Sequence, residues 1–313
     1  MSAPEVLVVG DANLDLVLRG DVRPRFGQAE QLLDAAELTL GGSASLVAHG
    51  LARLGVRVAL AAAVGRDPFG DLTLQLLEAA GVDVSTVVRR DHERTGLSVI
   101  LSPEDGDRSI LTDLGAIATL GPGDLPDLAG TGHLHVASPY LVEGLRPHLA
   151  ALMRAAGDAG ATTSLDTNDD PTRGWDRLAE LLRGAGTVLP NRDEVLRWAA
   201  VLGLPSASWQ EAAAAVAGLG PTVVVKTGAD GGTCFRAGAE PVTVPAHPVT
   251  PVDTTGAGDS FDAGYVAGRL SGLDEPAALA WAVAAGSLST RAAGGARAQA
   301  DRSELLRQLA GST

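Results

Sequence analysis

The stretch Val252-Asp253-Thr254-Thr255-Gly256-Ala257-Gly258-Asp259-Ser260-Phe261 decides how the chain is read. It lies between a proline-rich turn (Pro245, Pro248, Pro251) and a small-residue run that predicts a helix starting near Ser260. The glycines flanking Ala257 let the backbone turn tightly and aim several N–H groups one way. Those groups join the unpaired donors and positive dipole end of the following helix. Gly256, Ala257 and Gly258 therefore predict an anion hole made without cationic side chains. Asp259 stands where the anion would lie. As a general base it would take a proton from an attacking hydroxyl while the N–H groups hold a transferring phosphoryl. Asp is also a common helix N-cap, so a purely structural reading stands beside the chemical one.

Around this stretch, short apolar runs alternate with Ala/Leu-rich segments of helical period. Val6–Val9, Val56–Val64, His133–Ala137, Thr162–Asp166, Thr187–Leu189 and Thr222–Lys226 read as strands. Ser43–Leu54, Asp71–Ala80, Leu145–Asp158, Asp176–Arg183, Arg192–Leu202 and Trp209–Ala217 read as helices, with Gly55 and Gly81 as C-terminal stops. Continuous apolar strands predict a mainly parallel sheet covered on both faces, and the repeated βα units predict a doubly wound α/β fold. Two segments break the rhythm. Asp15–Leu40 holds no βα unit, and Thr95–Thr112 reads as two strands around a turn at 103–107. They are ordinary surface hairpins or, together, a small β lid. Cys234–Pro245 reads as a further hairpin.

The composition narrows the chemistry. The 313 residues carry a net charge of −14, which disfavours nucleic acid and anionic membranes as partners. Cys234 is the single cysteine, so neither an intrachain disulfide nor a multi-cysteine zinc site can form. The opening Met1–Gly10 starts polar and has an apolar run of only four residues, which predicts no secretion signal and a cytoplasmic protein. Lys226 is the single lysine and follows Val225, which removes the Gly-Lys-Ser/Thr of a P-loop. A His-Arg-Asp tripeptide, a Gly-x-Ser-x-Gly elbow and a zincin motif are also missing. Gly10-Asp11-Ala12-Asn13 lacks the glycine spacing of a dinucleotide-binding turn.

Val252–Phe261, with Asp262-Ala263-Gly264 after it, resembles the C-terminal signature of the ribokinase-like, or PfkB, carbohydrate kinases. The resemblance runs along the chain. Gly10-Asp11-Ala12-Asn13-Leu14-Asp15 resembles that family's first strand and its sugar-binding Asn and Asp. Gly41-Gly42-Ser43, running into Ala52-Arg53-Leu54-Gly55, resembles its double-glycine signature. Val64–Gly70 resembles the next segment, and Asn191-Arg192-Asp193-Glu194 the Asn-x-x-Glu motif tied to magnesium and phosphate. The resemblance implies one kinase domain over 1–313, with a β-sheet lid from about 13–40 and 91–115. It implies ATP and Mg²⁺, with phosphoryl transfer to a hydroxymethyl group of a sugar, or alternatively of a nucleoside. A non-catalytic binding relative is a further alternative.

By the same resemblance, Asn13, Asp15, Gly41, Gly42 and Ser43 are substrate contacts, and an amide with a carboxylate can hold several hydroxyls. Asn191, Glu194, Lys226, Thr227, Gly228 and Gly231 fall on the nucleotide side, with Glu194 meeting Mg²⁺ through water. Asn191 could equally be a helix cap, and Lys226 a strand-end lysine with its head in solvent. Ala277–Ser289 resembles the helix beside the adenine pocket. Asp253 and Thr255 resemble part of a monovalent-cation loop, completed by Arg291–Gly295, which implies K⁺. Many relatives pair into homodimers through the lid. Two departures bear on the substrate. Leu46 stands where the family places a polar Asn, and Ser43 where many ribokinases carry Lys. Arg108 is the best-placed cation for an acidic or phosphorylated sugar, or else an exposed strand charge.

Overall fold

The structure, a computed structural model, describes residues 4–103 and 108–311. The chain starts on β1 (Val6–Val9), leaves for β2 (Asn13–Arg19) and β3 (Ala35–Gly41), and returns through α1 (Ser43–Arg53) to β4 (Val58–Ala61). Then follow β5 (Ala63–Gly65), α2 (Pro68–Ala80), β6 (Val88–Arg90), β7 (Gly96–Ser102) and β8 (Ser109–Asp113). The regular βα part comprises β9 (His133–Ala137), α3 (Arg146–Asp158), β10 (Thr162–Asp166), α4 (Leu178–Gly184), β11 (Thr187–Val188), α5 (Arg192–Val201), α6 (Trp209–Ala217) and β12 (Thr222–Lys226). The hairpin β13 (Gly232–Phe235) and β14 (Val242–Val244) precedes α7 (Ala257–Leu270), α8 (Glu275–Ser289) and α9 (Arg302–Ala310).

Eight strands form the main sheet in the order β14-β13-β12-β11-β10-β9-β1-β4. The six from β12 to β4 are parallel, and the hairpin adds two antiparallel strands at one edge. Alternation along β1 shows the two covered faces. Leu7 and Val9 enter one core with Leu149 and Trp198, whereas Val6 and Val8 enter another with Leu51 and Val266. The second face also carries a buried polar row. Ser164 Oγ lies 2.7 Å from both His133 Nε2 and His135 Nδ1, and burial holds both imidazoles well below their usual range.

The two irregular segments meet in a separate four-stranded sheet, β3-β2-β7-β8, in which β2 runs parallel to β7. The expected turn at 103–107 falls mostly on 104–107, outside the described residues. Several boundaries differ from expectation for local reasons. The run Val56–Val64 is two strands, because the chain leaves β4 and pairs β5 with β6 in a small sheet of its own. No turn residue marks that break. α2 starts three residues early, at Pro68, because Asp67 caps it by accepting from Gly70 N at 2.8 Å. α7 starts at Ala257 rather than near Ser260, with Gly256 as its N-cap. No helix among the described residues is long and apolar enough to cross a membrane.

Candidate active site

The site forms where β1, β10 and β12 end, at the carboxyl edge of the parallel strands, where open α/β sheets place ligands. Gly256 adopts φ of 69°, and a Cβ there would lie 2.7 Å from Gly295 Cα, so only glycine fits the turn. Ala257, Gly258 and Asp259 make the first turn of α7. Ala257 N already bonds Thr254 O at 3.2 Å, so of the three expected donors it is taken, and the Gly258 and Asp259 amides are the candidates for an anion. Since Gly256 holds the cap position, Asp259 is not the cap. Its Oδ1 accepts from Ser43 Oγ at 2.5 Å. Burial raises the Asp259 carboxyl to about 7; the Asp166 and Asp11 charges push the same way, against the Ser43 hydrogen bond and the Lys226 charge.

Ser43 opens α1, whose N-cap is Gly42 and therefore has no capping side chain. Asp11 serves instead, accepting from Ser43 N at 3.1 Å and Ala44 N at 3.0 Å. Beside it, Asn13 Nδ2 donates to Asp15 Oδ1 at 3.1 Å and to Ser98 Oγ at 3.3 Å, and Ser98 lies 3.0 Å from Thr112 Oγ1. Register puts Asp15, Ser98 and Thr112 side by side across β2, β7 and β8. Burial raises Asp15 to about 7, aided by the charges of Asp11 and Asp259 and opposed by Asn13. Gly41 is required here by space, because a Cβ would sit 2.1 Å from Asp15 Oδ1. Asn13, Asp15, Gly41, Gly42, Ser43 and Asp259 thus belong to one neighbourhood.

On the other side of the α7 terminus lies a cavity of about 550 Å³, lined by Gly228, Gly231, His247, Val283, Gly286 and Gly258 among others. α8 borders it through Val283, Gly286 and Ser287. A larger groove of about 850 Å³ between the 245–248 loop and α9 contains none of the acidic residues around Asp259. Thr227 is buried, with its N–H on Gly231 O at 3.0 Å. Asn191 and Glu194 form a reciprocal capping box: Glu194 N reaches Asn191 Oδ1 at 2.9 Å, and Asn191 N reaches Glu194 Oε2 at 2.8 Å. The structural role expected of Asn191 is therefore present. Burial and the Asp166 charge raise Glu194 to about 7, against Lys226.

Lys226 departs from a lysine with its head in solvent. Its side chain is 12% exposed, and Nζ is 2.6 Å from Asp166 Oδ2 and 3.0 Å from Asp262 Oδ2. Burial opposes its charge, yet Asp166, Asp262 and Glu194 outweigh burial and hold it protonated. Sequence reasoning gave no role to Asp11, Asp166 or Asp262. Asp262 follows Asp259 by three residues on one helical face, and Asp166 ends a strand, so both carried a usable signal. Ser98 and Thr112 carried none, because only the sheet register brings them to Asn13. Leu46 is buried, with its methyls against Gly295, behind the Gly256 turn.

Two arginines of the four-stranded sheet and its hairpin reach the glycine turn. Arg19 Nη2 is 2.8 Å from Asp253 Oδ2, and Arg108 Nη1 is 2.9 Å from Thr255 Oγ1. Asp253 also accepts from Thr255 N, Thr255 Oγ1 and Gly294 N. These hydrogen bonds, the Arg19 bond among them, outweigh burial and lower Asp253 to about 2.

Residues 3–301 match the family model described as pfkB family carbohydrate kinase. The chain belongs to the PfkB family. An ATP-dependent ribose-1-phosphate kinase from Halopiger xanaduensis is 33% identical to this kinase over 292 residues, 91% of each chain. Arabidopsis thaliana ribokinase, solved with ribose and ATP, matches with a TM-score of 0.84 at 27% identity, covering 99% of both chains. Adenosine kinase from Sinorhizobium meliloti matches with a TM-score of 0.86 at 27% identity, covering 98% of this chain and 99% of that one. The PfkB kinase described here is accordingly a sugar-kinase-type phosphotransferase with the ribokinase-like α/β fold.

Proposed function

We propose that this kinase moves the γ-phosphoryl group of ATP to a hydroxymethyl group of a small sugar, with Asp259 as general base. One observation carries the reading. Asp259 stands between the polar pocket of Asn13, Asp15 and Ser43 and the 550 Å³ cavity, with the α7 amides beside it. A sugar hydroxyl in the place of Ser43 Oγ would give its proton to Asp259 Oδ1 and attack the phosphorus. The Gly258 and Asp259 amides would take the charge on the transferring group. Asn13, Asp15 and the Ser98–Thr112 row would orient the sugar hydroxyls. The four-stranded sheet acts as the lid, in a single domain with the α/β core, and Gly228 and Gly231 flank the nucleotide.

Mg²⁺ enters with ATP as part of the substrate and shields its phosphate charge. Glu194 suits its water shell, because one carboxylate oxygen is fixed by the cap and the group is buried on the helix beside Lys226, which lines the cavity. The Asp166–Asp262 pair is already neutralised by Lys226. At Asp253 the residues fit K⁺ poorly, since a guanidinium and three donors fill both oxygens. The setting is cytoplasmic, where ATP is made available to such enzymes.

A homodimer through the lid completes the proposal. All five residues of the edge strand β8 are exposed, Ile110 at 55% and Leu111 at 58% among them. An exposed apolar edge invites pairing with a second copy.

A panel of ribose, ribose 1-phosphate, fructose, 2-keto-3-deoxygluconate and adenosine tests the acceptor class by coupled ADP release. Sugar-stimulated turnover that Asp259→Asn abolishes supports the reading. Preferred adenosine turnover replaces it with the nucleoside alternative, and ATP turnover that no acceptor stimulates replaces it with a non-catalytic binding role. Arg108 would favour a phosphorylated sugar.

A further inference from the structure

The single lysine of this chain, with the Asp166 and Asp262 carboxylates that hold it, has no step in the phosphoryl-transfer scheme. Lys226 ends β12, and its backbone N–H bonds Pro190 O at 2.8 Å, which ties β12 to the segment leading into α5. Its ammonium bridges Asp166 at the end of β10 and Asp262 on α7, one turn beyond Asp259. The side chain also lines the 550 Å³ cavity beside Gly258. A Cβ on Gly258 would lie 3.5 Å from Lys226 Nζ and 3.6 Å from its Cδ. Lys226 therefore lies next to Gly258 without a hydrogen bond to it, while holding the helix that carries the base.

A buried ion pair is weak evidence of stabilisation, since desolvation costs as much as the attraction returns. Its geometry is informative nonetheless. Asp262 is fully buried, and burial raises its carboxyl well above the usual range against the Lys226 charge, with Asp166 hydrogen-bonded beside it. A helix that merely packed on the sheet would be more stable with an apolar residue there. The groups facing Lys226 are acidic on every side but one. Asp166 comes from β10, Asp262 and Asp259 from α7, Glu194 from α5, and neutral His135 from β9. The ammonium is thus paired with these acids, and through Asp166 and Asp262 it ties β10 to the helix that carries the base.

We propose that Lys226 is a positioning residue for phosphoryl transfer: clamped between Asp166 on β10 and Asp262 on α7, its ammonium fixes the first turns of α7, and with them the Gly258 amide and the Asp259 carboxyl, against the sheet. This rests on the kinase reading above, with Asp259 as base. Lys226 also opposes the acidic neighbours that hold protons on Asp259. Its removal should therefore move the acid limb of the rate profile to higher pH.

The test compares Lys226→Met, Lys226→Arg and the charge-balanced double variant Lys226→Met/Asp166→Asn in steady-state assays from pH 5 to 9, with melting curves. Lys226→Met should lose about 100-fold in kcat, the scale of removing one oxyanion donor, with the sugar KM within about threefold. Its acid limb should rise, and Lys226→Arg should restore part of kcat. The double variant should return the limb toward the parent while kcat stays at least about tenfold low. A folded Lys226→Met with parental kcat and limb overturns the proposal. So does a fully active double variant, since the lysine would then only neutralise Asp166. If Lys226→Met does not fold, the double variant alone decides. Asp259→Asn in the same assay separates the two readings: its inactivity beside an unimpaired lysine variant refutes only the role of Lys226, and its full activity refutes the base.

Discussion

Replacing Asp259 by Asn should destroy turnover and at the same time make the unliganded protein more stable above neutral pH. The native carboxyl is raised from 3.8 to about 7, first by burial and then by Asp166 and Asp11. Between about pH 4 and 7 the native state holds a proton that the unfolded chain has released, so stability falls as pH rises through that window. Above pH 7 the native carboxylate is ionised against its surroundings, at a cost of about 4 kcal/mol. Asp259 is only partly buried, and water at the pocket mouth screens it. About 2 kcal/mol is therefore the working figure. Asn keeps an oxygen for the Ser43 hydroxyl and carries no charge. Thermal melts of the two proteins at pH 8 should differ by roughly 3 °C in favour of the variant. At pH 5 about a third of that gain should be gone. A variant no more stable than its parent at pH 8, or one whose gain is undiminished at pH 5, refutes the reasoning. Turnover with the preferred sugar should fall by at least about 100-fold throughout.

Further outcomes follow from the same geometry. The parent's kcat/KM should rise with pH and level off above about 7, where Asp259 and Asp15 ionise; a flat profile from pH 5 to 8 contradicts this assignment. Gly41→Ala drives a methyl into Asp15 and should raise the sugar KM about tenfold with little change in the ATP KM, as measured by varying each substrate. Turnover should be equal in potassium and tetramethylammonium buffers, because Arg19 already occupies Asp253, whereas Arg19→Gln should become potassium-stimulated; strong stimulation of the parent speaks against it. Ile110→Glu/Leu111→Glu should sediment as a monomer where the parent sediments as a dimer, and a monomeric parent at micromolar concentration removes the dimer proposal.

Much of the core was legible because its signals are local. Val6–Val9 and Thr222–Lys226 were placed residue for residue, since a buried parallel strand is a short apolar run with sharp ends. The start of α2 was missed because the Asp-Pro cap lies outside the apolar period. The split between β4 and β5 was missed because pairing with β6, not any residue in the run, ends the strand. The site divides the same way. The glycine turn and Asp259 are contiguous and readable. Asp11 under α1, and Ser98 and Thr112 beside Asn13, become visible only when distant strands are aligned. Lys226 drew attention by its rarity, but its three acidic neighbours lie on three other elements.

Arg19 and Arg108 fasten the four-stranded sheet to the very loop that bends at Gly256. An outward swing of that sheet would pull two guanidinium groups off Asp253 and Thr255 together. The turn that aims the α7 amides would then lose its outer supports while bulk water gained entry. A nucleotide would thus meet a slack hole with the sheet swung out and a taut one with both arginines in place. Such a coupling would favour thrift, because ATP would be held back from idle hydrolysis whenever the sheet swings out.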